Sequence, residues 1–149
     1  MSSLKTVIYI AGYGRSGSTL LDIILGNTKA FKNTGELSTI YEEYLSRYSC
    51  SCGLAYDNCD VWKSYFVKIK KLEKIENIKN ITRKIDKRET IFKPWKKDIS
   101  NHEKKLYAKL HDLMFESLGA CVIIDSSKTP ADGSFRPVAL KELCGYDVK

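Results

Sequence analysis

The sequence lacks any long hydrophobic run, and no stretch of its 149 residues approaches the roughly 20 apolar residues of a membrane-spanning helix. The first residues pass directly into a strand-like segment, without the small-residue cleavage site of a secretory signal. Neither an internal repeat nor a low-complexity tract is present. These absences predict a cytoplasmic protein, and the length suits one domain with a single core.

The cysteines do not form an even set. There are five, which are Cys50, Cys52, Cys59, Cys121 and Cys144. An odd number argues against a full disulfide framework. The first three could bind zinc with a fourth ligand, for which His102 and His111 are the candidates. Their spacing is not that of a standard zinc ribbon, so the favoured interpretation is a loop with reduced thiols, or one disulfide, and no metal.

The positive charge of the chain is unevenly distributed. The formal net charge is +7, yet between Lys63 and Lys105 there are 15 Lys and Arg residues against 6 Asp and Glu residues. This region could attract an anionic substrate or nucleic acid. A solvated helical face explains the charge better, and no nucleic-acid partner is expected.

Two segments have the composition of buried strands. Residues 6–11 form a β-branched and aromatic run with apolar side chains on both faces, and residues 121–125 form another. Such runs are typical of parallel sheets, and residues 31–33 could add a short third strand. Because helix-like segments separate these runs, we expect an α/β fold with a parallel sheet.

Helices are predicted where apolar residues recur every three or four positions. The predicted segments are 18–26, 37–48, 61–75, 106–118 and 136–144. The first of them has an apolar face formed by Leu20, Leu21, Ile24 and Leu25. The pattern loosens over residues 76–98, where Pro94 would break any helix.

A glycine-rich loop joins the first strand to the first helix. It reads Gly12-Tyr13-Gly14-Arg15-Ser16-Gly17-Ser18-Thr19. Glycines let successive backbone N–H groups point into one concavity, to which the helix N-terminus adds donors and its dipole. Gly12 and Gly17 have the spacing of a Walker A motif, but Ser18 stands where that motif has lysine. A phosphate-binding loop with Arg15 as its cation is predicted, and NTP hydrolysis by the usual lysine is disfavoured.

This loop resembles the 5′-phosphosulfate loop of sulfotransferases that use 3′-phosphoadenylyl sulfate (PAPS). That family carries Lys or Arg at the Arg15 position, followed by Ser-Gly-Ser/Thr-Thr. The resemblance is sharpest for members that act on glycans and protein tyrosines and for their bacterial relatives. It implies a P-loop-type three-layer fold and a site for PAPS. The residues implied to bind PAPS are Gly14, Arg15, Ser16, Gly17, Ser18 and Thr19.

Three shorter segments extend the resemblance. Thr34-Gly35-Glu36-Leu37 places a glutamate where similar enzymes have their general base, although capping of a helix is an alternative role. Asp125-Ser126-Ser127-Lys128-Thr129-Pro130-Ala131 resembles the Lys-Thr/Ser-Pro segment of glycosaminoglycan sulfotransferases, whose lysine lies at the reacting centre. Cys50-Ser51-Cys52-Gly53, with Cys59 and Trp62, is similar to a pattern in bacterial sulfotransferase-like proteins.

The resemblance implies transfer of a sulfuryl group from PAPS to an acceptor hydroxyl on a carbohydrate, lipid, tyrosine or small metabolite. Glu36, Lys128 and Arg15 would be the catalytic residues, and no metal is expected because the two cations would supply the positive charge. One alternative is a small-molecule P-loop kinase in which Asp125 helps to hold magnesium. Another is an inactive module that binds an anionic partner.

The chain is expected to be the N-terminal part of one sulfotransferase-like domain, residues 1–149. Residues 61–118 would form a helical insertion between the early strands, on the acceptor side. A further strand should begin near Val148, and the residues that hold the 3′-phosphate of PAPS in the family would follow Lys149. We therefore expect this chain alone to bind PAPS weakly and to be inactive.

Overall fold

Strands and helices alternate along the chain, as the sequence predicts. The computed structural model describes residues 4–28, 31–87, 99–128 and 135–149. The strands in these residues are β1 (Thr6–Tyr9), β2 (Lys32–Asn33), β3 (Val122–Asp125) and β4 (Asp147–Val148). The helices are α1 (Ser18–Gly26), α2 (Ile40–Leu45), α3 (Lys63–Ile69), α4 (Ile75–Asp86), α5 (Asn101–Leu118) and α6 (Arg136–Cys144). The predicted α/β class is confirmed.

The four strands form one parallel sheet in the order β2-β3-β1-β4. The β-branched residues of β1 and β3 lie in register, with Val7 opposite Ile123 on one side and Val148 on the other. The short strand near residues 31–33 and the strand near Val148 are therefore confirmed. β1 ends at Tyr9, two residues before the end of the predicted run 6–11. Ile10 still donates its N–H to the carbonyl of Asp125, and the chain then enters the glycine loop.

The two faces of the sheet have different neighbours. Side chains alternate along a strand, so Val7 and Ile123 share one face while Ile8 and Ile124 share the other. Val7 and Ile123 belong to the main core cluster, which contains residues from α2 to α6. α1 contacts β2 and β3, and right-handed crossovers place it on the face opposite α6. Among the described elements, the sheet therefore lies between α1 on one face and a layer of five helices on the other.

The five-helix layer is built around large apolar side chains. Tyr65, Phe66 and Ile69 of α3 are fully buried, and the ring of Phe66 stacks on that of Tyr44 with centroids 4.1 Å apart. α5 starts at a capping box formed by Ser100 and Glu103, and it ends at a left-handed glycine. Within the described parts of the chain, no helix is long and apolar enough to cross a membrane.

Four helices differ from their predicted extents. The predicted helix 61–75 is helical as α3 only over Lys63–Ile69, because the chain turns through residues 70–72 before α4 begins. α5 begins at Asn101, five residues before its predicted start. Residues 76–86 are helical, because α4 buries Ile75, Ile78 and Ile85 at helical spacing. The expectation that the helical pattern of apolar residues loosens over 76–98 is therefore wrong up to Asp86. Pro94 lies outside the described residues. α2 is shorter than the predicted 37–48, because the chain turns through residues 37–39 before the helix begins.

The inward face of α1 is not its apolar face. Leu20, Leu21 and Ile24 are 63%, 45% and 56% exposed. The buried residues of this helix are instead Ser18 and Asp22. The bounds of α1 match the prediction, but the periodicity of its apolar residues does not show which side of the helix faces the sheet. The inward side carries Ser18 and Asp22, because polar groups of Ser126 and Gly35 lie at this edge of the sheet and interact with Asp22.

Candidate active site

The carboxyl ends of β1 and β3 form a crevice. These strands are neighbours, and the segments that follow them leave towards opposite faces, to α1 after β1 and to α6 after β3. In open parallel sheets, ligands bind at such a point, outside the carboxyl ends of the strands. The segments 12–19 and 125–128, both predicted to be functional, begin here.

The loop before α1 has the conformation its glycines require. Gly17 has φ +80°, and Arg15 also lies in the left-handed region with φ +65°. The N–H of Ser16 donates to the carbonyl of Tyr13 at 3.3 Å, which closes a turn. A Cβ at Gly12 would lie 2.7 Å from the Ser16 hydroxyl, so a larger residue there would require the exposed Ser16 side chain to rotate. A left-handed arginine costs about 1 kcal/mol or more, which is typical of functional loops.

The same loop presents polar groups outwards. The side chains of Arg15, Ser16 and Thr19 are exposed, and Arg15 makes no ion pair within the described residues. A Cβ at Gly14 would meet nothing within 4 Å, which leaves its backbone open to close approach by an anion. Among the described side chains, none caps the N-terminus of α1. Ser18 is buried at the start of α1, and its predicted role in binding PAPS stays a prediction.

Glu36 and Lys128 form an ion pair at the edge of the crevice. The Lys128 Nζ lies 2.5 Å from Glu36 Oε1, and each side chain is about one third exposed, at 31% and 35%. The two residues are far apart in sequence, yet the structure brings both predicted catalytic side chains into contact. Thr129, Pro130 and Ala131 of the same predicted motif lie outside the described residues.

Backbone hydrogen bonds hold these two segments together. Thr34 donates its N–H to the carbonyl of Ile124 at 3.0 Å, and its hydroxyl donates to the same oxygen at 2.6 Å. The N–H of Ser126 then donates to the carbonyl of Gly35 at 3.0 Å. The pairing of β2 with β3 therefore continues beyond the strands and carries Glu36 to the segment of Lys128.

Asp125 is the anchor of the segment that carries Lys128. Its side chain is fully buried, and Oδ2 accepts a hydrogen bond from Nε of Arg136 at 2.7 Å. Oδ1 accepts from the N–H of Ser127 at 2.9 Å and from the Ser127 hydroxyl. The N–H of Ser38 donates to the Ser127 hydroxyl oxygen at 2.9 Å. Asp125 thereby holds the segment of Lys128 and, through Ser127, the segment of Glu36. Each of its carboxylate oxygens accepts at least one hydrogen bond.

Arg136 lies at the centre of a buried charge network. Its Nη1 donates to Asp86 at 2.8 Å and its Nη2 to Nε2 of His111 at 3.2 Å. Burial opposes its charge, but Asp125 and Asp86 raise its pKa well above the usual value. Burial is the largest influence on Asp86 and raises the pKa of that carboxyl, while Arg136 acts in the opposite direction. The hydroxyl of Tyr107 donates to Asp86 at 2.7 Å and completes the network.

His111 is a neutral member of this network. Its Nδ1 donates to the carbonyl of Tyr107 at 2.8 Å, so Nε2 is free to accept from Arg136. Burial, followed by the charge of Arg136, lowers the pKa of His111 to about 3. His111 therefore cannot supply the fourth zinc ligand considered from the sequence. His102 is exposed at the start of α5 and does not join the cysteines in a metal-ligand group within the described residues.

A cleft of about 140 Å³, open to solvent, lies beside Glu36. Glu43 and Tyr56 line it, and the Tyr56 hydroxyl donates to Glu43 at 2.5 Å. Cys50 and Trp62 form further parts of its wall. The cleft is made mainly by residues 34–56, and Trp62 is the contribution of the predicted acceptor-side insertion.

Asp22 is a buried carboxylate that the sequence reasoning did not consider. It projects from α1 towards the segments of Ser126 and Gly35, and its Oδ1 has no hydrogen-bond partner among the residues that the structure describes. Burial is the largest influence and raises its pKa, with the nearby Asp125 adding to this, although Ser126 and Gly35 oppose it. A charged residue inside the apolar segment STLLDIILG was the available signal.

Three cysteine side chains converge next to the cleft. The Cys59 sulfur lies 3.6 Å from the sulfur of Cys52 and 3.6 Å from that of Cys50. None of the five cysteines of the chain forms a disulfide. The three sulfur atoms lie close together without a disulfide, and the predicted loop with reduced thiols or one disulfide stays a prediction.

Arg136 and Asp86 were also missed by the sequence reasoning. Nothing local distinguishes an arginine at the start of α6, or an aspartate at the end of α4, from a surface charge. Their roles depend on the packing of α4 and α6 against each other and against β3.

Comparisons with known protein families, with curated proteins and with solved structures found no match. The class that the fold defines is an α/β protein with a four-stranded parallel sheet and helices on both faces. What this protein does must be argued from the crevice and from its residues.

Proposed function

We propose that this chain carries the 5′-phosphosulfate site of a PAPS-dependent sulfotransferase with a P-loop-type fold. The observation that carries the proposal is the Glu36–Lys128 ion pair, which lies at the carboxyl edge of the sheet that also bears the Arg15 loop. A base and a cation in contact at this edge suit transfer of an anionic group to a hydroxyl.

The loop would stabilise the leaving group. As the bond between sulfur and the bridging oxygen of PAPS breaks, negative charge develops on the 5′-phosphate. Backbone N–H groups of residues 14–19, the dipole of α1 and the Arg15 guanidinium favour that charge. The open space at Gly14 supports this role, because a phosphate can approach its backbone closely.

The ion pair would serve the other half of the reaction. The acceptor hydroxyl oxygen forms the new bond to sulfur, and Glu36 takes the proton that this hydroxyl loses. Lys128 neutralises the sulfuryl oxygens as they pass from donor to acceptor. The products are the sulfated acceptor, 3′,5′-ADP and a proton on Glu36. The cleft beside Glu36 is the site we assign to the acceptor.

A kinase is the second candidate, and the position of Asp125 counts against it. Magnesium would need a free carboxylate oxygen after β3. Both oxygens of Asp125 already accept hydrogen bonds, from Arg136 and from Ser127, and the side chain is fully buried. An aspartate held in this way supports the segment and does not bind a ligand.

Isothermal titration calorimetry with 3′,5′-ADP and with ATP plus Mg²⁺ tests the proposal. We expect 3′,5′-ADP to bind more tightly, and Arg15→Ala to weaken it by about tenfold or more, as expected for a charge-assisted contact. Arg15→Lys should restore part of the affinity. Tighter binding of ATP would overturn the proposal in favour of the kinase. Binding that falls steeply with salt and ignores Arg15→Ala would indicate a general anion-binding module.

Transfer of labelled sulfate from PAPS to carbohydrate, tyrosine-peptide and lipid acceptors tests the catalytic roles. In a protein that also contains the 3′-phosphate site, Glu36→Gln should lower turnover by roughly 10²–10⁴-fold while 3′,5′-ADP still binds. Glu42→Gln, on the exposed side of α2, is the matched control and should leave turnover unchanged. Equal activity in the Glu36 variant would remove this residue from the mechanism.

A further inference from the structure

The convergence of three thiols next to the acceptor cleft has no role in the proposed reaction. Cys50, Cys52 and Cys59 place their sulfur atoms within 4.8 Å of one another, and they form the one such group of potential metal ligands in the described parts of the chain. Cys59 is buried, Cys50 is half-buried and Cys52 is exposed. One side of the group is therefore packed inside the protein, and the other side is accessible to an ion from solvent.

The backbone builds this group. The N–H of Cys50 donates to the carbonyl of Leu54 at 2.8 Å, and the N–H of Gly53 donates back to the carbonyl of Cys50 at 2.8 Å. Gly53 has φ +84°, which reverses the chain directly after Cys52. Cys59 comes from the next turn, where its carbonyl accepts from the N–H groups of the residues that start α3. Two turns are thus folded so that their thiols meet.

The sulfur separations suit a shared metal ion. Zinc binds thiolates at about 2.3 Å in tetrahedral geometry, so two sulfurs on one zinc lie about 3.8 Å apart. The Cys59 sulfur lies 3.6 Å from each of the other two sulfur atoms. A disulfide would bring one pair to about 2.05 Å and leave the third cysteine aside. Here Cys59 is equidistant from both partners and all three sulfur atoms lie within 4.8 Å of one another, so one ion can reach all three.

We propose that Cys50, Cys52 and Cys59 bind one Zn²⁺ ion as thiolates, with water at the fourth position. This inference replaces the sequence-based expectation of no metal. Among the residues that the structure describes, no further Cys, His, Asp or Glu joins the group, which is why water is assigned to the fourth site. Binding releases the three thiol protons to solvent.

The ion would have a structural role beside the active site. Cys50 and Trp62 line the cleft next to Glu36, and the cysteine loop connects them. A metal that joins Cys50 to Cys59 therefore fixes the cleft wall. Binding of zinc to the folded loop but not to the unfolded chain would add its binding free energy to stability.

Metal analysis of the purified chain tests the proposal. After dialysis against metal-free buffer, inductively coupled plasma mass spectrometry should find one zinc per chain in the wild type and in Cys121→Ser. Cys52→Ser should lose the zinc. Cys52 is the informative position because it is exposed, so serine there removes a ligand with little loss of packing, and circular dichroism will verify that the variant is folded.

Cobalt substitution supplies a second readout. Co²⁺ should give the thiolate charge-transfer and tetrahedral ligand-field bands in the wild type and Cys144→Ser, and neither band in Cys52→Ser. Absence of both zinc and cobalt binding, a mass two hydrogens lower from a disulfide, or retention of zinc in Cys52→Ser would each overturn the proposal. These measurements need no nucleotide, so their outcome is independent of the sulfotransferase assignment.

Discussion

The two faces of the sheet are stabilised in different ways. One face packs against five helices, whose core includes the fully buried Tyr65, Phe66 and Tyr107 and a buried arginine. The other face is covered by α1, which turns Ser18 and Asp22 inwards and leaves Leu20 and Ile24 exposed. The first face supplies the packing that stabilises the fold, whereas the second presents the glycine loop at the crevice.

This difference shows how the candidate site is held. The glycine loop depends on β1 and α1, but Glu36 and Lys128 are positioned from the other face, through Asp125 and Arg136. The site therefore lies where a strongly packed layer meets a lightly covered one. Variants on the two faces should differ in both the size and the pH dependence of their effects.

Loss of Arg136 should have the largest effect. Arg136→Met leaves Asp125 and Asp86 buried without their cation, which costs about 3–5 kcal/mol of unfolding free energy. Urea denaturation will measure it. Lys141→Met, on the exposed side of the same helix, is the control and should cost less than about 0.5 kcal/mol. A cost for Arg136→Met below about 1 kcal/mol would show that the network does not stabilise this layer.

A matched pair of isoleucines compares the faces directly. Ile69 is 0% exposed in the helical layer and Ile24 is 56% exposed on α1. Ile69→Ala should lower the unfolding free energy by about 2–5 kcal/mol because it opens a cavity, whereas Ile24→Ala should change it by less than about 0.5 kcal/mol. Denaturant midpoints at constant slope will give both values. Similar costs at the two positions would contradict the comparison.

Acid should weaken the helical layer through His111. Its pKa is about 3 in the folded protein against 6.5 ordinarily, so the unfolded chain takes up a proton that the folded chain does not. The stabilisation is complete above pH 6.5 and declines below it, by about 1 kcal/mol between pH 6.5 and 5.5. Urea unfolding across this range will test the slope. The exposed His102 is the control, since His102→Gln should keep the slope and His111→Gln should flatten it.

Asp22 should change the pH dependence of stability in the opposite direction to His111, and by less. Burial raises its pKa above the ordinary 3.8, so its contribution to stability is greatest in the acid form and is lost as the pH rises above that value. Asp22→Asn mimics the protonated carboxyl and should be at least as stable as the wild type at pH 7. Asp60→Asn, at an exposed carboxylate, should bring no such gain. A destabilised Asp22→Asn would show that the charge itself is needed.

Much of the local structure could be predicted from the sequence. α1 and α6 have the predicted bounds, and the glycine after α5 and the one after α6 are left-handed caps. β-branched runs identified the two central strands, and the glycine loop lies between β1 and α1. These features follow from interactions within a few residues, which a sequence pattern records directly.

The arrangement of the site could not be predicted in the same way. The contact of Glu36 with Lys128 requires β2 and β3 to pair in one register, and a shift of one residue would turn either side chain to the other face. The partners of Arg136 come from three different elements. The orientation of α1 was likewise not determined by its apolar residues.

The sequence by itself determined the order of strands and helices, the glycine loop that contains Arg15, and the types of residue available for chemistry. The tertiary structure decided which of them meet: Glu36 with Lys128, Asp125 with Arg136, and the three thiols with one another. The physical reason is that backbone propensities act over a few residues. Contacts between distant segments depend on sheet register, crossover handedness and the burial of charge, which the whole fold sets together.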